Sequence, residues 1–178
     1  GKRIRLAPWR AQFARDSRHI YVFYKNEYGV NFAACKVVDD VWVIKWNIAS
    51  GRAVWKSQIR ILPIPELGIP RYACMSRFNL DESPGGDKIA VGNCNGEILI
   101  INSNSGKEMY RIFSYIKPWR SIGKPGMYGV MNVKFHPTKR DKIYAIVSSS
   151  GSKSVIAEAS VSGKSFSTHL VSAHVNDI

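Results

Sequence analysis

The sequence predicts an all-β chain made of about three copies of one four-stranded antiparallel unit. The first sign is a repeated strand that ends in a polar Ser-Gly turn. Val43 to Gly51 (VIKWNIASG), Leu99 to Gly106 (LIINSNSG) and Val155 to Gly163 (VIAEASVSG) align on their final glycines, which are spaced by 55 and 57 residues. The second sign is turn chemistry. Asn95-Gly96 separates the apolar runs Lys88 to Gly92 and Glu97 to Ile101, and both central residues of a type I′ hairpin turn require positive φ. The third is that no window keeps apolar residues at i, i+3, i+4 and i+7, so no amphipathic helix is expected.

In chain order, the first unit is expected at 9–62. Phe13 opens a weak copy, FARDSRHIYVFY, of a pattern of strand, polar turn and apolar strand. The pattern recurs from Phe78 (FNLDESPGGDKIAVGN) and, 57 residues later, from Phe135 (FHPTKRDKIYAIVS). The second unit, 71–116, is the best marked. Its strands are expected at 73–79, 88–92, 97–102 and 108–113, around turns at Pro84-Gly85-Gly86-Asp87 and Asn95-Gly96. The third unit is expected at 129–173. Imperfect alternation of apolar and polar residues suits strands covered on both faces. Residues 1–178 read as one segment, with Lys2 to Leu6 as the outer strand of a preceding unit and Ala173 to Ile178 as the start of a following one. A self-contained β-sandwich with coincidentally similar strands is the competing architecture.

The order of strand, Asp/Asn-Gly turn, strand ending in an aromatic and an Asp-like residue, then Ser/Thr-Gly turn resembles the WD-repeat β-propeller family. Trp46-Asn47 stands where that family has Trp-Asp, and His174 where a Gly-His pair often precedes the next blade. The resemblance covers residues 9–178. It departs from the pattern at Ile101-Asn102 and Glu158-Ala159, and its repeat is longer than the roughly 40 to 45 residues usual for the family. It implies four-stranded propeller blades. Since rings take roughly four to eight blades, three units imply part of a larger ring. AVWKSQI, SRFNLDESPGGDKIAVGNCNGEILIIN and VMNVKFHP also resemble the cytosolic propellers of endoplasmic-reticulum exchange factors for Sar-type GTPases, which implies nucleotide exchange on a vesicle-coat GTPase.

Composition is that of a globular chain, 45% hydrophobic and 22% charged. No run approaches the ~20 apolar residues of a membrane helix, and the basic N-terminus lacks the apolar core of a secretory signal. Three cysteines (Cys35, Cys74, Cys94) and no Asn-x-Ser/Thr site predict an intracellular location, cytoplasmic or nuclear or at the cytosolic face of a membrane. The formal charge of +13 invites nucleic acid or an acidic partner. Residues 1–20 hold six basic side chains against Asp16, and residues 117–142 hold seven against Asp141.

The search for catalytic chemistry finds no constellation. Gly163-Lys164-Ser165 has Glu158 where a phosphate loop needs its first glycine. Gly123, Gly126 and Gly129 precede a strand rather than a helix. The cysteines and His19, His136, His169 and His174 lack the close spacings of structural zinc sites. Asp39-Asp40 and Asp81-Glu82 fall at expected turns, where carboxylates stay solvated. Neither a catalytic residue, a cofactor nor a metal is expected.

The binding signal is a duplicated tripeptide, Pro8-Trp9-Arg10 and Pro118-Trp119-Arg120, each expected in a connection between units and therefore on a common rim. Trp9, Arg10, Lys117, Trp119, Arg120 and Lys124, joined by Arg71 and Tyr72, form the candidate surface, since Trp beside Arg or Lys pairs stacking with charge. Trp9 and Trp119 tucked between blades, with solvated cations beside them, is the competing reading. The expected function is a non-enzymatic protein-interaction scaffold, a subunit of a larger assembly. The alternatives are a propeller touching RNA or DNA in a ribonucleoprotein or chromatin complex, and the exchange factor named above.

Overall fold

A computed structural model describes residues 6–26, 41–59, 79–93, 97–113, 129–148, 154–161 and 166–169. Among them are twelve strands and no helix. The first sheet contains β1 (Leu6–Phe13), β2 (His19–Asn26), β3 (Val41–Asn47) and β4 (Arg52–Ile59). The second contains β5 (Asn79–Glu82), β6 (Lys88–Gly92), β7 (Glu97–Asn102) and β8 (Glu108–Phe113). The third contains β9 (Gly129–Phe135), β10 (Lys142–Ser148), β11 (Ser154–Ser160) and β12 (Phe166–His169). Each sheet is an antiparallel meander in chain order. The first sheet belongs to one compact unit, and the second and third sheets to another apart from the turn residues Ser105–Lys107.

Each loop between first and second strand is closed by the same two backbone bonds. The amide just past the first strand (Ala14, Ser83, His136) donates to the carbonyl of the residue that opens the second (His19, Lys88, Lys142), at 2.9 Å in every case. The amide just past the third strand (Ile48, Ser103, Val161) donates to the carbonyl just before the second (Arg18, Asp87, Asp141). The repeat is therefore written in backbone geometry where side chains have diverged.

Alternation appears where one face is buried. Ile143, Ala145 and Val147 of β10 are buried while Tyr144 and Ile146 are not, and β3 alternates at Val41, Trp42 and Val43 before Ile44 and Lys45 are buried in succession. In β6 and β7 it disappears: Ile89 to Gly92 and Glu97 to Ile101 are buried without interruption. Ala90, Ile98, Ile100 and Ile112 of the second sheet pack with Val130, Val133 and Phe135 of β9 and with Ile143, Ala145 and Val147 of β10. Burying each such branched side chain contributes roughly 1.5–3 kcal/mol.

The strands expected at 88–92, 97–102 and 108–113 are found at those bounds. The first strand of that unit is described as β5, Asn79–Glu82, which runs past the expected end at 79, and 73–78 lie outside the described residues. Phe13 and Phe135 close the first strands of their sheets instead of opening a pattern, and Leu6 opens β1 instead of ending a preceding strand. The pair Asp81-Glu82 is also corrected, from a solvated turn to a buried strand. Asp81 opposes Ala90 and so shares the face turned to β9. There Oδ2 accepts the Phe135 amide at 2.8 Å and Oδ1 accepts Lys134 Nζ at 3.1 Å. These donors repay the desolvation that the turn reading assumed a carboxylate would avoid. Two residues along the same face, Asn79 Nδ2 donates to the Val130 carbonyl at 3.1 Å.

Candidate interaction surface

Of the residues singled out in the sequence as a binding surface, Trp9 and Arg10 fall among the described residues. Pro8-Trp9-Arg10 lies inside β1, not in a connection between units, and the pairing with β2 slips there between Pro8 and Arg10. Proline has no N–H to give the ladder and is tolerated on an edge strand at such a bulge. Arg10 is exposed opposite Phe23. Arg71, Tyr72, Lys117, Trp119, Arg120 and Lys124 lie outside the described residues, as do all three cysteines, Asp39-Asp40, the 163–165 tripeptide and His174.

The charge cluster at 117–142 also divides. Lys134, Lys139, Arg140 and Lys142 are described; Lys134 pairs with Asp81, and Lys142 with Glu158. In the second and third sheets together, the described residues hold seven basic and seven acidic side chains. In the first sheet they hold seven basic residues and one acid, Asp16. The positive excess of the described chain belongs to the first sheet.

One end of that sheet gathers much of it. His19 opposes Asn47 and Asn47 opposes Arg52, so the β1–β2 loop and the β3–β4 turn share an end, tied by the Ile48 amide to the Arg18 carbonyl. Arg15, Arg18 and Arg52 are exposed there. Exposed apolar side chains lie toward the same end of the sheet: Phe13 is 69% exposed, Val54 48% and Ile48 46%. Arg15 and Arg18 were part of the basic N-terminal stretch in the sequence, whereas Arg52 joins them only because β4 runs antiparallel to β3. The signal that could have found it is the Ser-Gly turn directly before it.

Both loops are held rigidly. Asp16 Oδ1 accepts the amides of Arg18 (2.9 Å) and His19 (3.1 Å), and its Oδ2 stands 2.6 Å from His19 Nδ1, so the ring donates to it. Ser17 adopts a positive φ of 56° with its amide on the Ala14 carbonyl. Slight burial raises the Asp16 pKa, but the His19 ring and the two amides outweigh it and hold the carboxyl below its ordinary value of 3.8. A depressed folded pKa stabilises the fold above that ordinary value, and the contribution disappears as pH falls through the lower folded one. Asp16→Asn should therefore lower stability slightly at neutral pH and not at all in strong acid. Chemical denaturation at the two pH values checks this, and an equal deficit at both would contradict it.

In the β3–β4 turn, Asn47 Oδ1 accepts the Ser50 amide at 2.9 Å, and Gly51 sits at φ +61° with its amide on the Asn47 carbonyl. Nothing lies within 4 Å of where a Gly51 Cβ would stand. Gly51→Ala then meets only the left-handed backbone penalty, roughly 1–2 kcal/mol, and Gly51→Asn less, because asparagine tolerates that region. Thermal unfolding of the two variants should rank them in that order.

Among the described residues no group of three His, Cys, Asp or Glu is arranged to hold a metal ion, and no helix is long and apolar enough to cross a membrane.

Solved structures resemble this chain of four-stranded antiparallel meanders. The structure of U3-55K matches with a TM-score of 0.57 at 18% identity, covering 96% of this chain and 41% of that one. The fold is that of WD40 β-propeller blades. The crystal structure of RRP9 WD40 repeats matches with a TM-score of 0.57 at 19% identity over 96% of this chain and 40% of that one. The β-propeller domain of Myceliophteria thermophila Cps50 (Swd1) matches with a TM-score of 0.56 at 9% identity over 95% and 41%. The chain thus spans about two fifths of the length of the propellers it matches. No protein-family model and no curated protein matches it. The propeller reading of the sequence holds, and the β-sandwich is set aside.

Proposed function

We propose that this chain is a non-enzymatic interaction scaffold of the WD-repeat type, working inside the cell as part of a larger assembly. The observation that carries the reading is how its polar groups are divided. Three carboxylates of the second and third sheets are drawn into internal pairs, Asp81 with Lys134 and the Phe135 amide, Glu97 with Asn93, and Glu158 with Lys142. The first sheet instead presents exposed arginines beside exposed apolar side chains. A surface of arginine and large apolar groups is the composition of a protein-binding patch.

The test is reconstitution. The full chain, carrying a photo-activated cross-linker, is added to an extract of the cells that make it. Cross-linked proteins are then purified and mixed with the unmodified chain. A complex of fixed stoichiometry that survives size-exclusion chromatography is the expected result. If no purified protein forms one, the scaffold reading is lost.

A further inference from the structure

We propose that the end of the first sheet formed by Arg15, Arg18 and Arg52 docks an acidic protein segment that also carries apolar side chains. This rests on the scaffold reading and names the class of partner and the place where it binds. Three features converge on it.

The first is charge. Among the described residues of the first sheet seven basic side chains stand against one acid, Asp16, which the His19 ring and two backbone amides hold. The guanidinium fork suits a carboxylate because it can donate two parallel bonds to it. The second is the apolar content. Ile48 and Val54 are aliphatic and have no π face on which a base could stack, so these exposed side chains, with Phe13 toward the same end of the sheet, fit leucine- or phenylalanine-like side chains better than a polynucleotide. The third is preorganisation. The Asp16 and Asn47 bonds, together with the backbone tie from Ile48 to Arg18, fix both loops before any partner arrives, so little ordering remains to oppose binding.

The experiment uses the full chain at low salt and three labelled probes of equal charge read by fluorescence anisotropy: a peptide alternating glutamate with leucine, an all-glutamate peptide, and single-stranded oligodeoxythymidylate. The Glu-Leu peptide should bind most tightly. Reversing the three arginines (R15E, R18E and R52E together) should weaken it by about tenfold or more, from the modest worth of each exposed pair. Replacing Phe13 and Ile48 by serine should weaken it several-fold without changing the all-glutamate peptide. If the triple variant fails to fold, R52E alone and a salt titration of the unmodified chain give the charge dependence. Equal binding of all three probes, or no loss on removing Phe13 and Ile48, would overturn the proposal in favour of a general polyanion surface. If the cross-linked partners still bind the triple variant normally, this docking site falls and the scaffold reading stands. If no protein partner is ever reconstituted, the scaffold reading falls whatever the peptides do.

Discussion

Asp81→Ala should destabilise the second and third sheets by about 2–4 kcal/mol, and nearly all of the loss comes from one amide. Asp81 Oδ2 is the acceptor that this structure gives the Phe135 N–H, whose residue is only 4% exposed. Removing that acceptor leaves a buried donor unpaired at roughly 1–3 kcal/mol, and removes a charged hydrogen bond as well. The second partner matters less. The Lys134 side chain is more than half exposed, so its pair with Asp81 is worth well under about 1 kcal/mol. Three variants separate these contributions. Asp81→Asn keeps a carbonyl oxygen for the Phe135 amide but turns an NH₂ toward Lys134, and should cost about half as much. Lys134→Ala should cost less than about 0.5 kcal/mol. For a chain of this size each kcal/mol lowers Tm by roughly 2–4 °C, so calorimetry resolves the order. A Lys134→Ala deficit as large as that of Asp81→Ala would show that the ion pair, not the buried amide, is the link that matters.

Gly92→Ala should cost about 1–3 kcal/mol for a different reason, lack of room. A Cβ at Gly92 would stand 2.6 Å from Val130 Cγ1 and 3.0 Å from Val130 Cβ, far inside contact distance. Val130 cannot retreat easily. Its amide donates to the Asn93 carbonyl at 2.8 Å, and its carbonyl accepts Asn79 Nδ2 at 3.1 Å, so both sides of the residue are tied to the second sheet. The backbone effect alone has the opposite sign, because alanine has less freedom to lose on folding than glycine. A measured destabilisation is therefore a direct reading of the steric clash. Val130→Ala opens the space and should itself cost about 1–2 kcal/mol. Combined, the two substitutions should be less damaging than their sum by about 1 kcal/mol or more. Strict additivity in urea unfolding would mean that the two residues do not meet.

What could be read in the sequence followed from turns and strand propensity. The Ser-Gly turns, recurring at Gly51 and Gly106, placed the third and fourth strands, because a glycine at positive φ is a requirement that local sequence must meet. The strand before each polar turn was harder. Asp81 and Glu82 carry the local preference of a turn, and only a partner about fifty residues away, the Phe135 amide, makes them strand residues. Pro8 misled in the same way: a proline reads as a connection until an edge strand with a bulge is there to accept it. The charged zones were legible as counts but not as surfaces, because Lys134 and Lys142 are drawn into ion pairs with Asp81 and Glu158 that only the folded strands bring together. Arg52 could be joined to Arg15 and Arg18 only by the register of β2, β3 and β4, and register is a property of the sheet rather than of any one segment.

The two backbone bonds that close each first-to-second loop ask nothing of side-chain chemistry. Five residues fill that interval in the first two sheets and six in the third, from His136 to Asp141, while the same two closures form in each. The chain thus already contains a natural insertion that leaves its frame unchanged. These intervals behave as cassettes: their contents can drift, lengthen or be exchanged while the strands on either side keep their alignment. Such a frame loses its sequence likeness early and its shape late, as the 9–19% identities to structures of the same fold reflect. It is also a practical place to splice a foreign epitope.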